Sequence, residues 1–98
     1  MIVTERETPE GLLVSVCDRD ILGETFSDDP ISITVSEDFY GGDHADAETV
    51  IDILSRAAVA NIVGVRSVSL AIDNGFVDEA NVLEIDGTLH AQYLKMHR

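Results

Sequence analysis

Lysine, cysteine, tryptophan and proline are scarce in this chain: Lys95 is the only lysine, Cys17 the only cysteine, tryptophan is absent and there are two prolines. A single cysteine excludes an intramolecular disulfide and a multi-cysteine metal site, and it suits a reducing cytoplasm. Basic residues of any kind number six against nineteen acids, a formal charge of −13. Nucleic-acid binders gain affinity by neutralising phosphates with a basic patch, and here the average field repels a polyanion at low salt. No apolar run reaches the roughly 18 residues that span a bilayer. The opening MIVTERET has neither the basic n-region nor the apolar h-region of a signal peptide. A soluble, cytoplasmic protein with no membrane partner is the expectation.

What is present argues for a fold. A hydrophobic fraction of 45% and a mean hydropathy of +0.12 are too high for a disordered chain. Ninety-eight residues make one domain, 1–98, because stable cores need roughly 50 to 200 residues. The acids are spread along the whole chain rather than gathered in a tail. That distribution is expected of a halophilic protein, since molar salt screens carboxylate repulsion to within about 3 Å.

Residues 2–7 and 12–17 read as strands of a hairpin turning over Thr8-Pro9-Glu10-Gly11. Asp18 to Gly23 is a connector in which Asp18 caps a single turn. Residues 31–36 alternate Ile, Ser, Ile, Thr, Val, Ser, the pattern of a half-buried central strand. Asp46 is the N-cap of a long helix over 47–61, with Val50, Leu54, Ala57, Ala58 and Asn61 on its packed face. Residues 67–75 form a shorter helix or a strand, and Gly75 after Asn74 favours the helix. Asp86-Gly87 demands a type I′ hairpin pairing Ile85 with Thr88, Glu84 with Leu89 and Leu83 with His90. The class is α+β: two β-hairpins plus a central strand in a mainly antiparallel sheet, packed on one long and one short helix.

Several of these segments together carry a resemblance. The hairpin ending Val16-Cys17-Asp18, the turn Leu22-Gly23 and the loop Phe39-Tyr40-Gly41-Gly42 belong to it. So do the run Ala57-Ala58-Val59-Ala60-Asn61-Ile62-Val63-Gly64 and the closing Asp86-Gly87-Thr88-Leu89-His90-Ala91-Gln92. In combination they resemble the archaeal domain-of-unknown-function 424 family over nearly the whole chain. The resemblance implies an archaeal cytoplasmic α+β protein of about 100 residues and, with the acid excess, a haloarchaeal member. It implies no activity, cofactor or catalytic residue.

The candidate chemistry is sparse. Tyr40-Gly41-Gly42 leads into a helix N-terminus, where bare amides favour anions, yet Asp38, Asp43 and Asp46 crowd the same end. Asp43, His44 and a distant His90 offer carboxylate and imidazole for a metal. Cys17 with His90 would supply a nucleophile and base, although a thiol on an apolar strand is commonly a small core residue. Asn61 and Gln92 need partners if buried, and together they make a candidate recognition pocket. Lys95-Met96-His97-Arg98 is the only basic cluster.

No nucleophile, base and orienting group can be assigned together, and no cofactor is implied. The expectation is a non-catalytic binding module that meets a ribonucleoprotein or a protein factor of translation or information processing. Its candidate contacts are Tyr40, Gly41, Gly42, Asn61, His90, Gln92, Lys95 and Arg98. The alternatives are a small metal-assisted hydrolase using Asp43, His44 and His90, and a structural homodimer paired through edge strands.

Overall fold

The computed structural model describes residues 1–95, so Met96, His97 and Arg98 of the basic tail lie outside the described residues. Ile2–Thr8 (β1) and Gly11–Cys17 (β2) form the expected hairpin, in register from Ile2 opposite Cys17 to Thr8 opposite Gly11. After a 3-10 turn at Arg19–Ile21, Thr25–Asp28 (β3) and Ile31–Thr34 (β4) make a separate two-stranded ribbon. The alternation in residues 31–36 is real. Its hydroxyl face meets a matching row on β3, with Oγ1 of Thr25 and Thr34 2.9 Å apart and Oγ of Ser27 and Ser32 3.0 Å apart. The strand is not central, however. It pairs only with β3, and the two lie against one end of the main sheet, where Val35 and Phe26 pack with Ile2, Cys17 and Val63.

Glu37–Tyr40 (α1) is one helical turn, and Asp43–His44 (β5) adds a short edge to β1. Ala47–Arg56 (α2) begins as expected at Asp46, whose carboxylate accepts from the Thr49 amide at 2.9 Å. It stops at Arg56 rather than continuing to 61. Val59–Val63 (β6) is instead the true central strand, parallel to β2 from Leu13 opposite Val59 to Cys17 opposite Val63. A short, near-continuous apolar run such as Val59–Val63 cannot be told from a helix end by periodicity. The β-branched Val59, Ile62 and Val63 favour the extended form, and pairing on both sides decides it.

Val65–Asp73 (α3) is a helix, starting two residues earlier than expected and ending before Gly75. Leu83–Ile85 (β7) and Thr88–Leu94 (β8) take the expected register around Asp86 and Gly87, whose φ angles of 49° and 84° are those of a type I′ turn. The main sheet runs β5-β1-β2-β6-β8-β7, antiparallel except for β2 against β6. The α+β class holds. Both helices cover one face, burying Val14, Val16, Leu54, Ile62 and Val68 completely. Among the described residues no helix is long and apolar enough to cross a membrane.

Asp18 does not cap its own turn. Its side chain crosses to the start of α3, where it accepts from the Arg66 amide at 3.0 Å, the Ser67 amide at 2.8 Å and the Ser67 hydroxyl at 2.7 Å. Gly64 has φ 112°, and a Cβ there would collide with the Asp18 carboxylate. One buried side chain thus ties the end of β2 to the first turn of α3. Asp18→Ala leaves buried donors of Ser67 unsatisfied and should cost about 2–4 kcal/mol in urea unfolding, whereas the exposed Asp20→Ala should change stability by less than about 0.5 kcal/mol.

Candidate functional site

The ladder registers place every strand residue on one of two faces. Ile2, Cys17, Val63, His90 and Leu83 form one cross-strand row; Thr4, Ser15, Asn61 and Gln92 form the next; Arg6, Leu13, Val59 and Leu94 form a third. All three rows lie on the face away from α2 and α3. The β3–β4 ribbon covers part of the first row, α1 and the residues after it reach Thr4 and Arg6, and Ser15 is buried, so the open part of the other two rows is centred on β6 and β8. Leu94 is 66% exposed, Gln92 and Arg6 are exposed, and Leu13, Val59 and Asn61 are half-buried.

The charge distribution over the two faces is uneven. The acids carried by the six strands are Glu5, Glu7, Asp43 and Glu84, and by register all of them fall on the helix-covered side. In a chain of charge −13, the strand positions of the open face hold no acid, and α1 sets Glu37 and Asp38 at its border. Its one formal charge, Arg6, lies over the Phe39 ring at 5.5 Å and donates to the Asp38 carbonyl oxygen. The core of a protein interface is depleted of charge in the same way, with apolar and neutral polar groups side by side.

Of the residues singled out in the sequence, Asn61 and Gln92 are brought together, directly opposite each other across β6 and β8. Asn61 reaches that position on a strand, not on the helix expected for it. Tyr40 is not a surface contact: it is buried, stacks edge-on against Phe39 at 5.0 Å, and burial pushes its hydroxyl up to about 12. Gly41 accepts from the Thr4 hydroxyl at 2.9 Å, and Gly42 crosses close over the Val3 carbonyl, approaches that a side chain at Gly42 would block. Lys95 stands beside Leu94, its amide donating to the Ala58 carbonyl. Arg98 lies outside the described residues.

The metal trio does not converge. His44 and His90 share a row but are separated by Ile2, Cys17 and Val63, four strand spacings or roughly 19 Å. Among the described residues no group of three His, Cys, Asp or Glu side chains could hold an ion. Cys17 is fully buried, two strands from His90, and burial with the neighbouring Asp18 pushes its thiol up to about 11, the reverse of an activated nucleophile. The rows beside Asn61 and Gln92 also hold Leu13, Val59 and Leu94, none of which stands out in the sequence, and the buried Ser15. A signal for the face was present in Thr4-Glu5-Arg6-Glu7-Thr8, where acids alternate with neutral or basic residues, but reading Val59 and Asn61 as helical hid its centre.

Two outcomes follow from this burial. Cys17 should resist iodoacetamide at neutral pH in the folded protein and react on addition of denaturant; rapid labelling of native protein would restore it as a nucleophile. His90 is half-buried, and burial lowers its imidazole below the ordinary 6.5. Its contribution to stability is therefore whole above about 6.5 and is lost as pH falls through the lowered folded value. Urea midpoints between pH 7.5 and 5 should fall less for His90→Gln than for the wild type.

No curated protein matches the chain. A crystal structure of an uncharacterized conserved protein from Methanopyrus kandleri superposes with a TM-score of 0.78 at 20% identity, covering 99% of this chain and 95% of that one, a likeness of fold. Residues 5–96 match the family described as Protein of unknown function (DUF424). With that match extending from β1 past the end of β8, the chain belongs to the DUF424 family.

Proposed function

We propose that this chain is a non-catalytic binding module that docks through its open sheet face on an uncharged protein surface. That surface belongs to a protein factor, or to the protein part of a ribonucleoprotein, in translation or information processing. The observation that carries the reading is that the strand positions of this face carry no acid in a chain of charge −13. Carboxylates help keep an acidic protein soluble, and a surface without them is suited to being covered. The acid excess elsewhere supports a salt-rich archaeal cytoplasm as the setting.

The chemistry of the face favours protein over RNA. Single-stranded RNA is held on sheets by aromatic stacking and positive charge. The open rows contain no aromatic residue, and Arg6 is already engaged by Phe39 and Asp38. Edge pairing into a homodimer is less favoured. The outer edge of β1 carries Glu5, Arg6 and Glu7, and antiparallel self-pairing about Arg6 sets like charges opposite one another.

Sedimentation of a lysate in molar KCl, with and without ribonuclease, tests the proposal. Wild-type protein should travel with a larger partner, and Leu94→Glu or Gln92→Glu should weaken that association at least tenfold, about 1.4 kcal/mol. Both positions are exposed, so each variant should keep its stability to about 0.5 kcal/mol. Ribonuclease release would identify a ribonucleoprotein, and persistence a protein factor. A wild type sedimenting alone or as two copies, or variants that retain the partner, would contradict the reading.

A further inference from the structure

A second site, apart from the sheet face, lies where β2 ends and α3 begins. A cleft of about 370 Å³ is lined by Met1, Asp18, Arg19, Asp20 and Arg66, at the small end of the range for ligand pockets. Its two guanidiniums differ from the other arginines described. Arg56 pairs with Glu5 and Asp52, both at 3.5 Å, and Arg6 is held by Phe39 and Asp38. Among the described residues, no carboxylate oxygen lies within 4 Å of the Arg19 or Arg66 guanidinium. In a chain with nineteen acids, two arginines without an ion pair among the described residues line the same cleft, beside Asp18 and Asp20.

We infer that this cleft binds a small phosphomonoester, its phosphate clamped between Arg19 and Arg66. Two forked guanidiniums match a group of charge about −1.5 to −2 that offers three oxygens, each fork able to take two of them. The helix start takes no part in the clamp. The Arg66 and Ser67 amides are already occupied by Asp18, whose carboxylate is turned onto these donors and the Ser67 hydroxyl. Asp18 and Asp20 also line the cleft, the first held by the Arg66 and Ser67 donors, so Asp20 is the local opposing charge, while acids elsewhere in the chain act through screening salt.

The experiment titrates folded protein with inorganic phosphate, adenosine 5′-monophosphate and a short RNA lacking terminal phosphates, by calorimetry and thermal melting, at low and at molar KCl. Saturable one-to-one binding of the monophosphate is expected, with a raised melting temperature. Arg19→Ala and Arg66→Ala should each weaken it at least tenfold, Arg19→Lys and Arg66→Lys several-fold, and Asp20→Asn should tighten it. Arg56→Ala should have no effect. Inorganic phosphate binding as tightly as the monophosphate would assign the site to free phosphate. Tighter binding of the RNA, no saturation with either phosphate ligand, or equal affinity in the Arg19 and Arg66 variants would overturn the proposal. All these variants change exposed side chains, and their unfolding curves should overlay the wild type.

Discussion

The parallel pairing of β2 with β6 is the constraint on which the rest of the molecule depends. It joins an N-terminal hairpin to a C-terminal one across the long excursion between Cys17 and Val59, whose closure entropy grows only slowly with length. Val14 and Val16 on β2, and Ala60 and Ile62 on β6, make the floor on which α2 and α3 pack. Asp18 and Gly64, immediately beyond the two strands, then lock the direction in which α3 leaves the sheet. A parallel pair needs a crossover connection. The chain uses that connection to lay β3, β4 and α1 over one end of the opposite face, which leaves the other end open.

Segregation of charge follows from the same pairing. Strand side chains alternate, so a single register decides which face each acid occupies. Glu5 and Glu7 point to the helix side, where Arg56 meets Glu5, while Thr4, Ser15, Asn61 and Gln92 line the other side with Leu13, Val59 and Leu94. A slip of one residue in β1 would bring both glutamates onto the open face. The fold therefore maintains the neutral surface by backbone register, without any special local geometry.

The features legible in the sequence were those with local causes. Asp86-Gly87 specified its turn and register, Asp46 specified the start of α2, and Pro9-Glu10 sat at the tip of the first hairpin. Features with distant causes were not legible. Residues 57–63 present the same apolar run whether helix or strand, and only partners 27 to 46 residues away in β8 and β2 decide between them. Asp18 offered a local cap in the sequence, but its acceptors are satisfied by residues 48 and 49 positions later. Of the candidate contacts, Asn61 and Gln92 stand out in the sequence as polar residues among apolar ones, and the register sets them opposite each other on the face away from α2 and α3. Tyr40 stands beside glycines in the sequence, but its burial against Phe39 depends on packing that no local pattern reveals.

The open sheet face, whose strand positions carry no acid, is the surface proposed to be covered by a protein partner. The most direct test is to place a photo-activated cross-linking residue at position 94 on that face, or at position 52 on the exposed side of α2, and to identify the adducts by mass after irradiation in high-salt cells. The account predicts one discrete protein adduct from position 94, suppressed by excess unlabelled wild type and absent from position 52. Adducts from position 52 alone, or from neither position, would contradict it.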